Sequence, residues 1–225
     1  MPAVLSYSFL DSFENCRKQA HEVYILKSVP RFKESAQEGI EIHEALAKRI
    51  AGGAETPHAS AERLVQSLER RGKAQTEVKL GVTRELEACD FFSKVVWLRG
   101  VVDVLLLGRG DADRPDRARS AFIGDWKTGK VREKDLQLQI FAALVFANYP
   151  EVENVRAVNL WLREPDLKMQ PRDWSRDRLP GLWAQILRLA DHVEESERSG
   201  SWPARVNALC GWCQVVHCEF HPGRK

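Results

Sequence analysis

Two carboxylates and an ammonium stand where this chain can bring them to one point. Asp125 and Lys127 belong to the pentad Asp125-Trp126-Lys127-Thr128-Gly129, at the end of the apolar run Ala121-Phe122-Ile123-Gly124, and Asp103 lies on a second apolar run, Val101 to Leu107. As strands, the two runs would deliver all three charges together. Paired carboxylates hold a hard divalent cation, which polarises a phosphate and lowers the pKa of an attacking water. An ammonium beside them steadies that water or the charge that develops in the transition state. An isolated D-x-K also describes a solvated strand edge, so the weight falls on its surroundings.

The cysteines form a second constellation. Cys210-Gly211-Trp212-Cys213 is a C-x-x-C, Cys218 follows after four residues, and Cys16 lies near the other end of the chain. Thiolates that ligate a metal or an iron–sulfur cluster need this local spacing, with a fourth ligand to close the shell. Zinc competes, because His217 and His221 flank Cys218 and would complete a Cys3His site without Cys16. Cys89, between Leu86 and Phe91-Phe92, reads as a small buried apolar residue.

These residues need elements to position them. Ser8 is a candidate cap for a helix beginning at Phe9, with Cys16 at its middle. A second helix, from about Ala36 to Ile50, places His43 on a stripe with Gly39, Ala47 and Ile50. There His43 is either a core histidine or a metal ligand aimed at the strand carboxylates. Residues 59–71 read as a surface helix, and strands are expected over 75–82, 85–89, 94–98, 101–107 and 121–126. The segment Gly108 to Ser120 is polar, with Gly, Pro and mixed charge, and reads as an exposed loop. A helix over 133–148 buries Leu136, Ile140, Phe141, Leu144 and Val145, a strand covers 155–162, and a long helix covers 176–196.

Composition bounds the rest. With 225 residues, 44% hydrophobic and 29% charged, the chain suits one globular domain over 1–225 with a substantial core. Lys+Arg 34 against Asp+Glu 32 leaves +2, so nucleic-acid contact must come from local clusters. No apolar stretch is long enough to span a bilayer and the N-terminus lacks signal-peptide character, so the expected compartment is the cytoplasm, with no membrane partner.

Taken in order, the motifs resemble a known family. Gly100-Val101-Val102-Asp103, Gly124 to Gly129 and Gln137 to Phe141 are similar to the G-x-x-D, D-Y-K-T-G and Q-x-x-x-Y of the PD-(D/E)XK nucleases, in particular the RecB-like branch. Leu5-Ser6-Tyr7-Ser8 with Phe13 to Cys16 resembles the opening of that branch, and Gly39 to His43 its helical histidine motif. The C-x-x-C-x4-C tail is similar to the cysteine cluster of the iron–sulfur members, CRISPR-associated nucleases among them. The likeness runs from about residue 5 to 218. Trp126 and Phe141 stand where the family has tyrosine, and Arg17 where proline commonly follows the first cysteine.

The resemblance implies a restriction-endonuclease-like α/β core, a central mixed sheet flanked by helices, with a C-terminal cysteine-ligated segment. It implies that His43, Asp103 and Asp125 bind Mg2+ or Mn2+, with the Trp126 carbonyl as a further oxygen ligand. Lys127 would orient or activate the water, and Gln137 would contact the lysine, the water or the DNA backbone. Glu77 would be an outer acid, and Lys130, Arg132 and Lys134 would meet phosphates. Cys16, Cys210, Cys213 and Cys218 would hold a 4Fe-4S cluster joining the N-terminal helix to the tail, with Zn2+ the alternative. The function implied is a metal-dependent exonuclease on single-stranded DNA or DNA ends, in recombination, repair, phage replication or CRISPR spacer acquisition, with protein partners in such complexes. The alternative is a non-catalytic nucleic-acid-binding or assembly subunit that keeps the fold as scaffold.

Overall fold

The apolar runs that carry the two aspartates are neighbouring strands of one sheet. A computed structural model of the chain describes residues 3–30, 37–54, 58–108, 119–129, 131, 135–163 and 166–223, and its backbone divides into two units, residues 36–183 and residues 1–35 with 184–225.

In the larger unit the strands are β1 (Gln75–Val82), β2 (Ala88–Cys89), β3 (Leu98–Gly108), β4 (Arg119–Lys127), β5 (Val152–Arg163) and β6 (Asp166–Ser175). They form a mixed sheet in the order β2-β1-β3-β4-β5-β6, in which only β4 and β5 are parallel. A parallel pair needs a crossover, and helix α5 (Leu136–Asn148) supplies it. Helices α3 (Gln37–Ile50) and α4 (Ala59–Glu69) pack Leu46, Ala61 and Leu68 against Val104, Leu106, Trp126, Val158 and Leu160 of the sheet. This α/β architecture is the one the motifs implied.

Several local expectations are corrected. The expected strand over 85–89 shrinks to two residues because Thr83 and Glu87 close a turn in which Leu86 takes φ 68. The expected strand over 94–98 is a turn, pinned by Ser93, whose backbone carbonyl accepts from Val96 N and whose Oγ accepts from Val95 N, and β3 starts only at Leu98. Strand β6 went unanticipated because Lys168, Gln170, Pro171, Arg172 and Asp173 hide the apolar signal. Such polarity and a proline suit an edge strand, which pairs on one side only. Helix α5 buries residues 138 and 140–146 all round, where one buried face including Leu136 was expected. Its expected start at Glu133, the expected helix start at Ala36, and 109–118 of the expected loop lie outside the described residues.

Gly100 shows why the first motif opens on glycine. A Cβ there would lie 2.9 Å from Phe141 Cε1 and 3.1 Å from Leu144 Cδ1, so β3 and α5 meet at backbone distance. Gly100→Ala is expected to destabilise the protein by about 1–3 kcal/mol through overpacking, read as a lower urea midpoint at unchanged slope.

In the smaller unit, Ser6 and not Ser8 caps the first helix, α1 (Tyr7–Asn15), through an Oγ that accepts from Phe9 N at 3.3 Å. Cys16 is not mid-helix. It sits in extended conformation at the break between α1 and α2 (Arg17–Ala20), which continues as one π-type turn through Ile25. Phe9 stacks on Tyr24, Phe13 meets Trp202 edge-on, and Trp202 stacks on His21. The final helix, α6 (Leu179–Ser199), buries Ile186, Ala190 and Val193. The tail that follows is tied back by Asn207 Nδ2 to Asn15 O (3.0 Å), Lys18 Nζ to Glu219 Oε2 (2.6 Å) and His217 Nε2 to Glu22 Oε1 (2.9 Å).

Candidate active site

The ladder between β3 and β4 ends at the pair Val104–Gly124, and one step further sets Asp103 opposite Asp125. The strands part there. Trp126 N, left without a ladder partner on β3, donates to Asp103 Oδ2 at 2.8 Å. A carboxylate thus replaces the backbone bond at the end of the ladder, which aims it at the gap.

Gly124 allows this approach. A Cβ at Gly124 would press on Leu160 Cδ1 at 2.8 Å and Val104 Cβ at 3.3 Å. The side chain of Trp126 is buried in the α3–α4 layer, so the aromatic of this motif serves packing and only its backbone faces the gap.

Asp125 is 2% exposed. Its Oδ1 accepts from Gln137 Nε2 at 2.7 Å, while Oδ2 is met by the ammonium of Lys127 as an ion pair. Gln137 Oε1 accepts from Lys127 Nζ at 2.6 Å, so one α5 side chain ties the acid and the base of the motif together. Burial, opposed by Lys127 and reinforced by the charge of Asp103, raises the Asp125 pKa to about 6.

His43, on α3, places Nδ1 3.3 Å from Asp103 Oδ2. Burial works against its charged form, yet the hydrogen bond and charge of Asp103 prevail and its pKa lies above the ordinary value. Gly39, one turn earlier, lets α3 lie against the segment after Lys127: a Cβ there would be 3.2 Å from Thr128 Oγ1.

All six residues assigned to the metal and catalytic set by resemblance therefore meet at one place. Lys130, Arg132 and Lys134 lie outside the described residues.

Two further polar residues extend the row. Glu77 falls between the pairs Thr76–Val104 and Val78–Val102, opposite Asp103, with φ 51. A non-glycine residue in that region costs about 1 kcal/mol or more, and the sheet's alternation inverts here. Gly100 faces Phe141 of α5, whereas Val104, of the same parity, faces the α3–α4 layer. Burial first, and then the charge of Asp103, raises the Glu77 pKa. On the other side Asn159 pairs in register with Asp125 and is 4% exposed, its Oδ1 without a partner. Asn159 was missed by sequence reasoning. The available signal was a lone amide inside the apolar run 155–162.

The donor set suits a hard divalent cation. It offers two carboxylates from adjacent positions of neighbouring strands, an imidazole, and a buried Oδ2 that already draws a cation, the Lys127 ammonium. As placed, protein cations and N–H groups satisfy these acids, and among the described residues no group of three or more His, Cys, Asp or Glu is arranged ready to hold a metal ion.

In the smaller unit Cys16, Cys210, Cys213 and Cys218 line one cavity together with His221. Arg205 N donates to Cys16 Sγ and Asn207 N to Cys210 Sγ, each at 3.4 Å. Cys89 is half-buried, more accessible than expected.

No helix among the described residues is long and apolar enough to cross a membrane. None of the curated proteins compared matches the chain. Among solved structures, it is similar to SSO0001, at 18% identity and TM-score 0.54 over 98% of this chain and 88% of that one. A protein of Eubacterium rectale described as a candidate exonuclease matches at 11% identity and TM-score 0.55, over 99% of this chain and 88% of that one. At such identities the likeness concerns the fold alone. The family model of the PD-(D/E)XK nuclease superfamily matches residues 4–218, nearly the whole chain, and with that span the chain belongs to this superfamily.

Proposed function

We propose that the chain is a Mg2+- or Mn2+-dependent deoxyribonuclease that works as an exonuclease on single-stranded DNA or DNA ends. The observation that carries this reading is the meeting of His43, Asp103, Asp125, Lys127 and Gln137 where β3 and β4 part. His43, Asp103 and Asp125, with the Trp126 carbonyl, would hold the cation, which when bound supplies charge against the phosphate and acidifies its water. Lys127 keeps an ammonium beside the scissile position and steadies the negative charge that develops there. Gln137 fixes the separation of Lys127 and Asp125, because one amide grips both. Gln137→Ala is expected to weaken Mn2+ binding or turnover about 10–100-fold, measured by calorimetry and initial rates.

In the same reading, Cys16, Cys210, Cys213 and Cys218 hold a 4Fe-4S cluster, and the N-terminal helix and tail belong to one nuclease domain joined by it. The shared cavity and the backbone donors to two of the sulfurs support this, since N–H groups on ligating thiolates are a means of tuning such clusters. His217 is engaged by Glu22, which leaves His221 as the histidine available to a zinc site at that cavity. The proposed setting is recombination, repair, phage replication or CRISPR spacer acquisition, with partners to match.

The test is digestion of end-labelled single-stranded and duplex DNA, circular DNA and RNA by anaerobically purified protein, with Mn2+, Mg2+ or EDTA. Short products from DNA ends with either metal and none in EDTA are expected. Nicking of circles would make the enzyme an endonuclease, and no product from any substrate would favour the non-catalytic scaffold.

A further inference from the structure

A ring lies exposed on the turn that precedes β3. Phe92 is 70% exposed in the turn between β2 and β3, a position where burial contributes little to its packing. Its orientation is nevertheless set from three sides. Asp90 Oδ1 accepts from Phe92 N at 2.7 Å, the Phe91 ring meets it edge-on at 5.0 Å, and Lys79 Nζ stands 5.1 Å from its centroid. Phe91 is anchored in turn by Arg99, whose guanidinium lies 4.6 Å from its ring and donates to its carbonyl at 3.2 Å. The same turn packs on β1, since a Cβ at Gly81 would touch Val96 and the Phe91 backbone.

Lys79 joins this turn to the acid row. It is two residues from Glu77 on β1, about 7 Å of strand, and close enough that its charge acts on the Glu77 carboxyl. Glu77 in turn stands opposite Asp103. A ring held open, a cation over one side of it and a path of one strand step to the acids together make a subsite for one nucleotide. Aromatic faces stack any unpaired base, and the neighbouring cation takes its phosphate. A base inside a duplex offers no free face to such a ring. Glu85 and Glu87 share the hairpin, so the surface is not uniformly basic, and the ring rather than net charge selects the ligand.

We propose that Phe92 and Lys79 form a stacking subsite for an unpaired base of the substrate strand, next to the nucleotide at the acid row. This rests on the nuclease reading above and deepens it by naming the feature that favours single strands.

The test is fluorescence anisotropy of a dye-labelled oligothymidylate, and of a blunt duplex, in EDTA so that nothing is cleaved. Phe92→Ala is expected to weaken single-strand binding about tenfold and leave duplex binding unchanged, while Phe92→Trp retains it. Lys79→Gln is expected to reduce the salt slope for the single strand by about 0.7. Single-strand binding by Phe92→Ala within about twofold of wild type, or an equal loss on the duplex, overturns the subsite. Wild-type cleavage of the same oligonucleotide with Mn2+ is followed in parallel. Lost binding in Phe92→Ala without wild-type cleavage keeps the subsite and removes the nuclease reading, whereas cleavage with unchanged binding does the reverse.

Discussion

Asp125→Asn is expected to reduce metal-dependent cleavage about 10³-fold or more and at the same time to raise the melting temperature of the metal-free protein at pH 7.5. The first effect follows from removing charge at a cation site, and Asp103→Asn and Lys127→Ala should match it with the fold intact. The second follows from burial. The Asp125 carboxyl is 2% exposed and its folded pKa is raised from 3.8 to about 6. Between those values the folded chain holds a proton that the unfolded chain has released, so metal-free stability falls as pH rises through that window. Below about pH 4 both forms are protonated and the penalty vanishes. Asparagine cannot ionise, so the variant should lose this fall, and the two proteins should converge in melting temperature toward pH 4. Mn2+ should stabilise the wild type at pH 7.5 by binding the ionised acid, and should leave the variant nearly unmoved. Near-wild-type cleavage by the variant would sink the catalytic assignment. A variant that melts below the metal-free wild type at pH 7.5 would instead show that the ion pair with Lys127 outweighs the burial of the carboxyl.

Cys16→Ser is expected to remove the cluster entirely and to loosen both ends of the chain. Cys16 sits at the break after α1, while its three proposed co-ligands lie on the tail 194 to 202 residues later in sequence (210 − 16 = 194; 218 − 16 = 202). A metal-ligand bond across that separation opposes the unfolded chain's freedom far more than the surface pair Lys18–Glu219 does, which is worth at most about 1 kcal/mol. Protein purified without oxygen should be brown, with broad absorbance in the blue and about four irons per chain. The serine variant should be colourless and should yield to protease at both termini, and Cys89→Ser should do neither. Stoichiometric zinc in a colourless wild type, retained in Cys16→Ser, would replace the iron–sulfur reading with a Cys3His site, for which His221 is placed at the cavity.

The sequence by itself singled out the candidate site residues, and its motifs implied the type of fold. Asp103 and Asp125 were legible because each ends or interrupts an apolar run, and a carboxylate there is conspicuous against valine and isoleucine. The helix after β4 was legible from its apolar positions, though as one buried face and not as a helix buried all round, and the paired cysteines were legible from their spacing. These are local signals, carried within a few residues, and local structure follows from them.

What the tertiary structure decided is everything set by where strands end and what faces them. That Asp103 caps the β3–β4 ladder depends on the pairing stopping at Val104–Gly124, a matter of two distant segments. The role of Gly100 depends on Phe141, and that of Gly124 on Leu160, partners 41 and 36 residues away (141 − 100; 160 − 124). Glu77 is an outer acid by resemblance, but its left-handed backbone and its place opposite Asp103 are seen only in the fold. Asn159 is a single amide in an apolar strand until the parallel register sets it beside Asp125. Strand β6 has no apolar pattern to announce it, since one-sided pairing at the sheet's edge asks for none. Side-chain pattern reports which face of an element is buried, but long-range pairing and packing choose its neighbours, and a site assembled from six separate elements is written in those choices.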